Sequence, residues 1–314
     1  MSSDVAIIIV SYRSAGDIAQ CFAALERSTY RGFRVVICEN GGPEAFQSLR
    51  ETLPERLKGG QAVEFLLAPD NLGYAGGINY CLDHTGPAAA FWILNPDTEP
   101  EPGALAAMMA RLEQNDCSAV GHDLVLSNGR LASLGGGRIG RWSARPISIS
   151  HGLPRQPDVD AKAIEASLDY IIGASMLISP GFLERAGRMR EDYFLYCEET
   201  EWCLRAKLKG EKIGYARDAV VLHAHGTSTG GGGGLNTRSR TAVYLAERNR
   251  ILLIRDLFPQ RMLHVAPLSL LHVLVRYGKA RAWRQTSYAL SGWLAGLRNE
   301  RGKPPWFQSV HGSS

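Results

Sequence analysis

Four short apolar runs, each closing on a polar cluster, constrain the fold of this chain more than any other feature. They are Val5-Ala-Ile-Ile-Ile-Val10, Arg34-Val-Val-Ile-Cys38, Val63-Glu-Phe-Leu-Leu67 and Phe91-Trp-Ile-Leu94. The first is an almost unbroken β-branched run, the pattern of a parallel strand covered on both faces. Helical spacing fills the intervals. Ser14 to Asp17 opens a helix whose apolar positions are Ile18, Cys21, Phe22 and Leu25; Asn79 to Asp83 belongs to the helix after the third run; and Leu105, Met108, Met109 and Leu112 make one face after the fourth. Strands alternating with helices predict an α/β fold with a mainly parallel sheet flanked by helices and right-handed crossovers.

The polar clusters are Ser11-Tyr12, Glu39-Asn40, Asp70-Asn71 and Asn95-Pro-Asp97. Such residues are common in ordinary turns. Four clusters on one edge of one sheet, three with a carboxylate, instead favour a ligand site, because open parallel sheets bind ligands at the carboxyl ends of their strands. A dinucleotide is not indicated. The segment after the first run, Ser11-Tyr-Arg-Ser-Ala-Gly16, holds one glycine, and the spacing Gly135, Gly137, Gly140 leads into Arg141-Trp-Ser-Ala-Arg-Pro146, which is no helix. A Walker A sequence is also lacking.

At 314 residues the chain suits one large domain or a domain with an appendage. Lys and Arg total 35 against 31 for Asp and Glu, a balance too even to indicate nucleic acid. The six cysteines are scattered without a Cys-x-x-Cys pair, so buried thiols in a reducing compartment are expected rather than zinc or disulfides. No basic stretch precedes the first apolar run and no Asn-x-Ser/Thr sequon occurs, so a cytoplasmic location without a signal peptide is expected.

Two places carry chemistry. In Asn95-Pro-Asp97-Thr98 a carboxylate at a strand end suits Mg²⁺ or Mn²⁺, and Pro96 restricts the backbone that aims it; the same residues also read as a helix entry. In Tyr193-Phe-Leu-Tyr-Cys-Glu-Glu-Thr-Glu-Trp-Cys-Leu-Arg205 the acids Glu198, Glu199 and Glu201 stand among bulky apolar residues. Desolvation and mutual repulsion raise a carboxylate's proton affinity, as a general base requires. Acids at a helix start are the plainer explanation, and both hold together.

In this order the motifs resemble glycosyltransferase family 2, inverting enzymes of the GT-A fold, nearest their bacterial rhamnosyltransferase-like branch. The matching pieces are Ile7-Ile-Ile-Val-Ser-Tyr12, Val36-Ile-Cys-Glu-Asn-Gly41, Asn71-Leu-Gly-Tyr-Ala-Gly-Gly-Ile-Asn79, Leu94-Asn-Pro-Asp-Thr98, Gly173-Ala-Ser-Met-Leu177, Phe194 to Arg205, and Val221-Leu-His-Ala-His-Gly-Thr-Ser228. The resemblance implies a GT-A type, Rossmann-like catalytic domain over residues 1–240, with a nucleotide-sugar half (1–118) and an acceptor half (119–240), and a C-terminal helical appendage over 241–314. It implies donor contacts from Val10, Ser11, Tyr12, Glu39, Asn71, Gly73, Gly76, Asn79, Asn95 and Asp97. Asp97 would bind the metal, with His223 and His225 as further candidates, and Asn95 stands where the family has the first acid of Asp-x-Asp. Glu199 falls where the family usually has Asp as catalytic base, so Glu198 and Glu199 both stay candidates. Gly173, Ala174 and Trp202 fall on the acceptor side. The implied reaction moves a sugar from dTDP-rhamnose or a UDP-sugar to a glycan or lipid-linked glycan. A nucleotidyltransferase of similar fold and a non-catalytic binding protein are the competing readings.

Residues 120 to 165 look irregular, apart from a hairpin turn at Asn128-Gly129. The five glycines Gly230 to Gly234 are expected to be a linker or a lid over the diphosphate. Beyond Thr241 the chain reads as helical. Arg248 and Arg250 carry two readings, neutralising donor phosphate or lining a solvated helix face. Met262 to Val275 is apolar, interrupted by Pro267 and too short to span a membrane; with Arg276, Lys279, Arg281, Arg284, Trp283 and Trp293 it suits either membrane-surface contact through 260–297 or packing against the catalytic domain or a second subunit.

Overall fold

The computed structural model describes residues 4–140, 142–156, 158–223 and 234–307. The chain runs β1 (Val5–Ser11), α1 (Ala15–Leu25), β2 (Phe33–Glu39), α2 (Pro43–Thr52), β3 (Val63–Leu67), α3 (Gly73–His84), β4 (Ala90–Leu94), β5 (Thr98–Pro100) and α4 (Ala104–Leu112). It continues with β6 (Ala119–Leu126), β7 (Leu131–Leu134), β8 (Gly137–Ile139), β9 (Pro146–Ser148), α5 (Ala161–Ser167), β10 (Ser175–Ile178), α6 (Pro180–Ala186), α7 (Glu198–Leu208), β11 (Ile213–His223), α8 (Arg240–Leu257), α9 (Met262–Lys279) and α10 (Trp283–Leu297).

The main sheet has the order β3-β2-β1-β4-β10-β6-β11-β5, with β7 hydrogen-bonded to β6 at the side. Strands β3, β2, β1 and β4 are parallel, and β6 and β11 run the same way. β10 is antiparallel to both its neighbours, and β5 is antiparallel to β11. The fold is therefore mixed α/β with a mainly parallel sheet.

The unbroken apolar run of β1 has the cause expected of it. Ala6, Ile8 and Val10 pack in one core with Ile78 and Leu82 of α3 and Trp202 of α7. Val5, Ile7 and Ile9 pack in a second core with Ile18 and Phe22 of α1 and Met108 of α4. Burying both faces of a strand this way is what removes the polar-apolar alternation.

Residues 79–83 lie in α3 as expected, and that helix begins at Gly73. Two sequence expectations need correcting. Residues 120 to 165 are not irregular: β6 is an eight-residue strand in the interior of the sheet, and only its far end was foreseen, as the first arm of the Asn128-Gly129 hairpin. Pro267 does not interrupt α9, which continues through it from Met262 to Lys279. Helix α8 shares the main core, since its Leu252 and Leu253 belong to the cluster that holds Trp202. Helix α10 lies close on α8 because Gly292 faces the Tyr244 carbonyl; a Cβ there would stand 2.2 Å from that oxygen.

Candidate active site

Strand register brings the polar clusters level. Ser11 pairs with Glu39 and Glu39 with Leu67, so β1, β2 and β3 end on one line. A cavity of about 230 Å³ opens there, lined by Tyr12, Arg13, Asn40, Gly41, Asp70 and Asn71 among others. Glu39 lies beneath the cavity, not on it. Its carboxylate accepts from the Ser11 hydroxyl, from Arg13 N at 3.1 Å and from Gly41 N at 2.6 Å, and only 1 % of the residue is exposed. Two of the three loops of the cavity wall are thus tied to one buried acid.

Of the remaining donor candidates, Tyr12 and Asn71 reach the cavity, whereas Val10, Ser11, Gly76 and Asn79 are interior. The Asn79 amide is occupied by the Met189 backbone and by Glu191 at 2.8 Å. Gly73 has φ +72°, and a Cβ there would stand 2.2 Å from Phe194 O. Only glycine fits that approach, and it lets Tyr74 N donate to the same carbonyl at 2.8 Å. Gly73 therefore docks the start of α3 onto the loop that leads into α7, rather than facing the cavity.

At the end of β4 the structure brings Asp97 and His223 together. Thr98 pairs with His223 across β5 and β11, and His223 Nε2 stands 3.2 Å from Asp97 Oδ1. Asn95 Oδ1 is buried with no hydrogen-bond partner among the described residues. Asp17 also faces this corner: burial first, then the charge of Asp97, pushes its carboxyl above the usual range. Among the described residues no group of three His, Cys, Asp or Glu could hold a metal alone. Two protein ligands completed by substrate phosphates and water is the usual Mg²⁺ arrangement, and an orphaned carbonyl oxygen beside them suits a hard cation. The residues present therefore fit a divalent ion. His225 and most of the glycine run lie outside the described residues.

Glu198 and Glu199 open α7. Glu198 is buried, and its Oε2 has no hydrogen-bond partner among the described residues; Glu199 is half-buried. Burial pushes both carboxyls up. The charge of Glu199 adds to the rise at Glu198, while amides of the helix start and the Thr200 hydroxyl pull Glu199 partly back. Glu201 is a structural acid, held by Arg205 at 2.7 Å and 3.0 Å. Trp202 does not face an acceptor. It is fully buried, donates to Gly187 O at 2.8 Å and stacks edge-on with Phe182.

The segment 173–174 links the two centres. Asn95 N donates to Ala174 O at 2.8 Å, and a Cβ on Gly173 would stand 3.3 Å from Glu199 Cγ. The Tyr74 hydroxyl donates to Gly173 O at 2.6 Å, and burial, then Glu198, Glu199 and Asp97 in turn, push its phenol well above the usual range. The 173–174 segment thus joins the loop that carries Asp97 to the start of α7. Sequence reasoning overlooked Tyr74, although it sits inside the Asn71–Asn79 motif.

The family model described as glycosyl transferase family 2 matches residues 6–147, which covers the cavity and Asp97 but stops short of α7. The hexosyltransferase Agl10 of low-salt glycan biosynthesis in Haloferax volcanii is 25% identical over 313 residues, spanning 97% of this chain and 94% of that protein. The chain is a glycosyltransferase whose residues 6–147 are similar to family 2. An N-acetylglucosaminyl-diphospho-decaprenol L-rhamnosyltransferase of Mycobacterium tuberculosis is 24% identical to this glycosyltransferase over 73% of its chain and 79% of the relative. The fold is also that of the mannosyltransferase PcManGT from Pyrobaculum calidifontis, solved with GDP-Man and Mn²⁺: TM-score 0.55 at 16% identity, over 96% of this glycosyltransferase and 88% of that chain.

Arg248 and its neighbour Asn249 hold the chain that leads into α7. Phe194, Tyr196 and Cys197, just before Glu198, have φ of +65°, +72° and +67°. Asn249 Nδ2 donates to Tyr193 O, Leu195 O and Tyr196 O at 2.8 to 2.9 Å, and Arg248 donates to Tyr193 O at 2.9 Å. Arg248 and Arg250 are both buried, so neither lies on a solvated helix face.

Proposed function

We propose that this glycosyltransferase is a metal-assisted inverting enzyme, taking a dTDP- or UDP-linked sugar and a lipid-linked glycan acceptor. The observation that carries the reading is the 173–174 segment, which accepts from Asn95 N at 2.8 Å and lies against Glu199. The Tyr12–Asn71 cavity would take the nucleobase, and Tyr12 offers it a ring face. Asp97 and His223, with Asn95 beside them, would hold the divalent ion, which neutralises charge on the leaving diphosphate when bound. Glu199 would take the proton of the acceptor hydroxyl, because it is the member of the pair open to solvent. A base on the face opposite the leaving group yields inversion.

Asp97→Asn tests the metal assignment. Mn²⁺ should raise the melting temperature of wild type in the presence of UDP or dTDP, and the variant should need at least about tenfold more Mn²⁺ for the same rise. Equal Mn²⁺ dependence would remove Asp97 as ligand.

Contact with a membrane surface is part of this reading. No helix among the described residues is long and apolar enough to cross a membrane. Helix α9, however, buries Val265, Ser269, Val273 and Tyr277 and exposes Leu263, Leu268, Leu271, Leu274 and Val275 on the other side. An exposed apolar stripe next to Arg276, Lys279, Arg281 and Arg284 suits anionic lipid. The chain should sediment with vesicles containing phosphatidylglycerol, and Leu271→Glu with Leu274→Glu should release it. If the double variant instead converts a dimer to a monomer without changing sedimentation, the face is a subunit contact.

A further inference from the structure

We propose that Arg145, Arg250 and Arg276 form an anion site for the diphosphate of an isoprenoid-linked acceptor, between the base-bearing helix α7 and the apolar face of α9. The inference rests on the transferase reading above and specifies its acceptor.

Three elements converge here. Ala144 packs with Ile254 of α8 and Val265 of α9, which brings the 142–145 turn against both helices. Trp142, 71 % exposed, stands edge-on to His264 of α9 with ring centres 5.5 Å apart. Arg250 is only 5 % exposed, pairs with Glu247, and has a buried Nε with no partner among the described residues. Arg145 and Arg276 make no ion pair among the described residues; Arg276 lies 5.6 Å over the Tyr277 ring. Of the three guanidiniums, only that of Arg250 meets a carboxylate among the described residues.

The neighbours register this surplus. Burial, then Arg145, Arg250 and Arg276, push His272 down to about 4, so it stays neutral, and its Nε2 is buried without a partner. Burial and the other two arginines push Arg250 down to about 10. A desolvated cluster of like charges is costly unless an anion completes it. Guanidiniums recognise phosphate oxygens in pairs, which favours a diphosphate over a single carboxylate.

The position of the cluster argues for the acceptor rather than the donor. The charge of Arg250 reaches Cys197, which precedes Glu198 in the chain. On the other side, Arg276 directly follows Val275 of the exposed apolar stripe. The order base, cations, apolar face matches the order sugar, diphosphate, isoprenoid in such an acceptor.

Calorimetric titration of the full chain tests this, using farnesyl diphosphate below its micelle concentration, farnesol and inorganic pyrophosphate. Farnesyl diphosphate should bind at least tenfold more tightly than either fragment. Arg145→Gln and Arg276→Gln should each weaken it about tenfold while leaving affinity for UDP or dTDP with Mn²⁺ unchanged. Both variants should melt no lower than wild type without ligand, because each relieves repulsion; a purely structural arginine would lower the melting temperature. Pyrophosphate binding as tightly as farnesyl diphosphate would make this a free-phosphate site and overturn the lipid assignment. Variants that weaken the nucleotide instead, or that change nothing, overturn the proposal. Failure of the transferase reading is seen separately, as no consumption of any nucleotide-sugar by wild type.

Discussion

Glu199→Gln is expected to lower kcat by about a thousandfold while leaving nucleotide affinity intact, the span typical of losing a positioned general base. The glutamine keeps the shape and the amide contacts of the helix start but cannot accept the acceptor's proton. Glu198→Gln should behave differently. Its carboxyl is the more deeply buried, and its proton affinity lies well above the ordinary glutamate value of 4.5. A raised folded-state pKa gives stability that is complete below the unfolded value and lost as pH rises through the folded one. The glutamine, neutral at every pH, removes that loss, so Glu198→Gln should melt higher than wild type at alkaline pH and lose far less activity than Glu199→Gln. For the proposed base the sign runs the other way: Glu199 would work deprotonated and its proton affinity is raised, so kcat should fall as pH drops through a value above 4.5. A thousandfold loss in Glu198→Gln with a mild one in Glu199→Gln would exchange the two roles.

The sheet was legible because burial on both faces leaves its mark within a few residues. Val5–Val10 needs no distant information to read as an internal strand. The site was legible only where a polar group ends such a strand, as with Tyr12, Asn71 and Asp97. Residues whose work depends on distant partners gave no local signal. Asn79 looks the same in sequence whether it faces a nucleotide or bridges to Met189, 110 positions away. Trp202 follows the acids directly, yet helical rotation turns it into the core behind them. The pairing of Asp97 with His223 was anticipated by the family's motifs, not by spacing, since 126 positions separate them. Asn249 gave no local signal either, because its partners are three backbone carbonyls, which no sequence pattern specifies.

That asparagine leads to the second large effect. Three non-glycine residues with left-handed backbone just before Glu198 cost roughly 1–3 kcal/mol each, and such strain persists only where surrounding structure over-determines it. Asn249 is the clamp: one side-chain amide donates to the carbonyls of Tyr193, Leu195 and Tyr196. Asn249→Ala leaves the Leu195 and Tyr196 carbonyls short of a donor, while Arg248 still serves Tyr193 O, a loss on the order of 2–4 kcal/mol. Asn249→Asp is the sharper test, because it preserves volume but points an anionic acceptor at the same carbonyls. Both variants should melt several degrees lower, with Asp below Ala. In chain that remains folded, kcat should fall at least tenfold with the nucleotide KM nearly constant, since the cavity at Tyr12 and Asn71 is built from other elements. The strain released by the lost clamp would let the 194–197 segment relax and carry Glu199 away from Gly173, which is why the chemical step and not donor binding should bear the damage. A rise in nucleotide KM with kcat unchanged would mean that α8 supports the donor half instead.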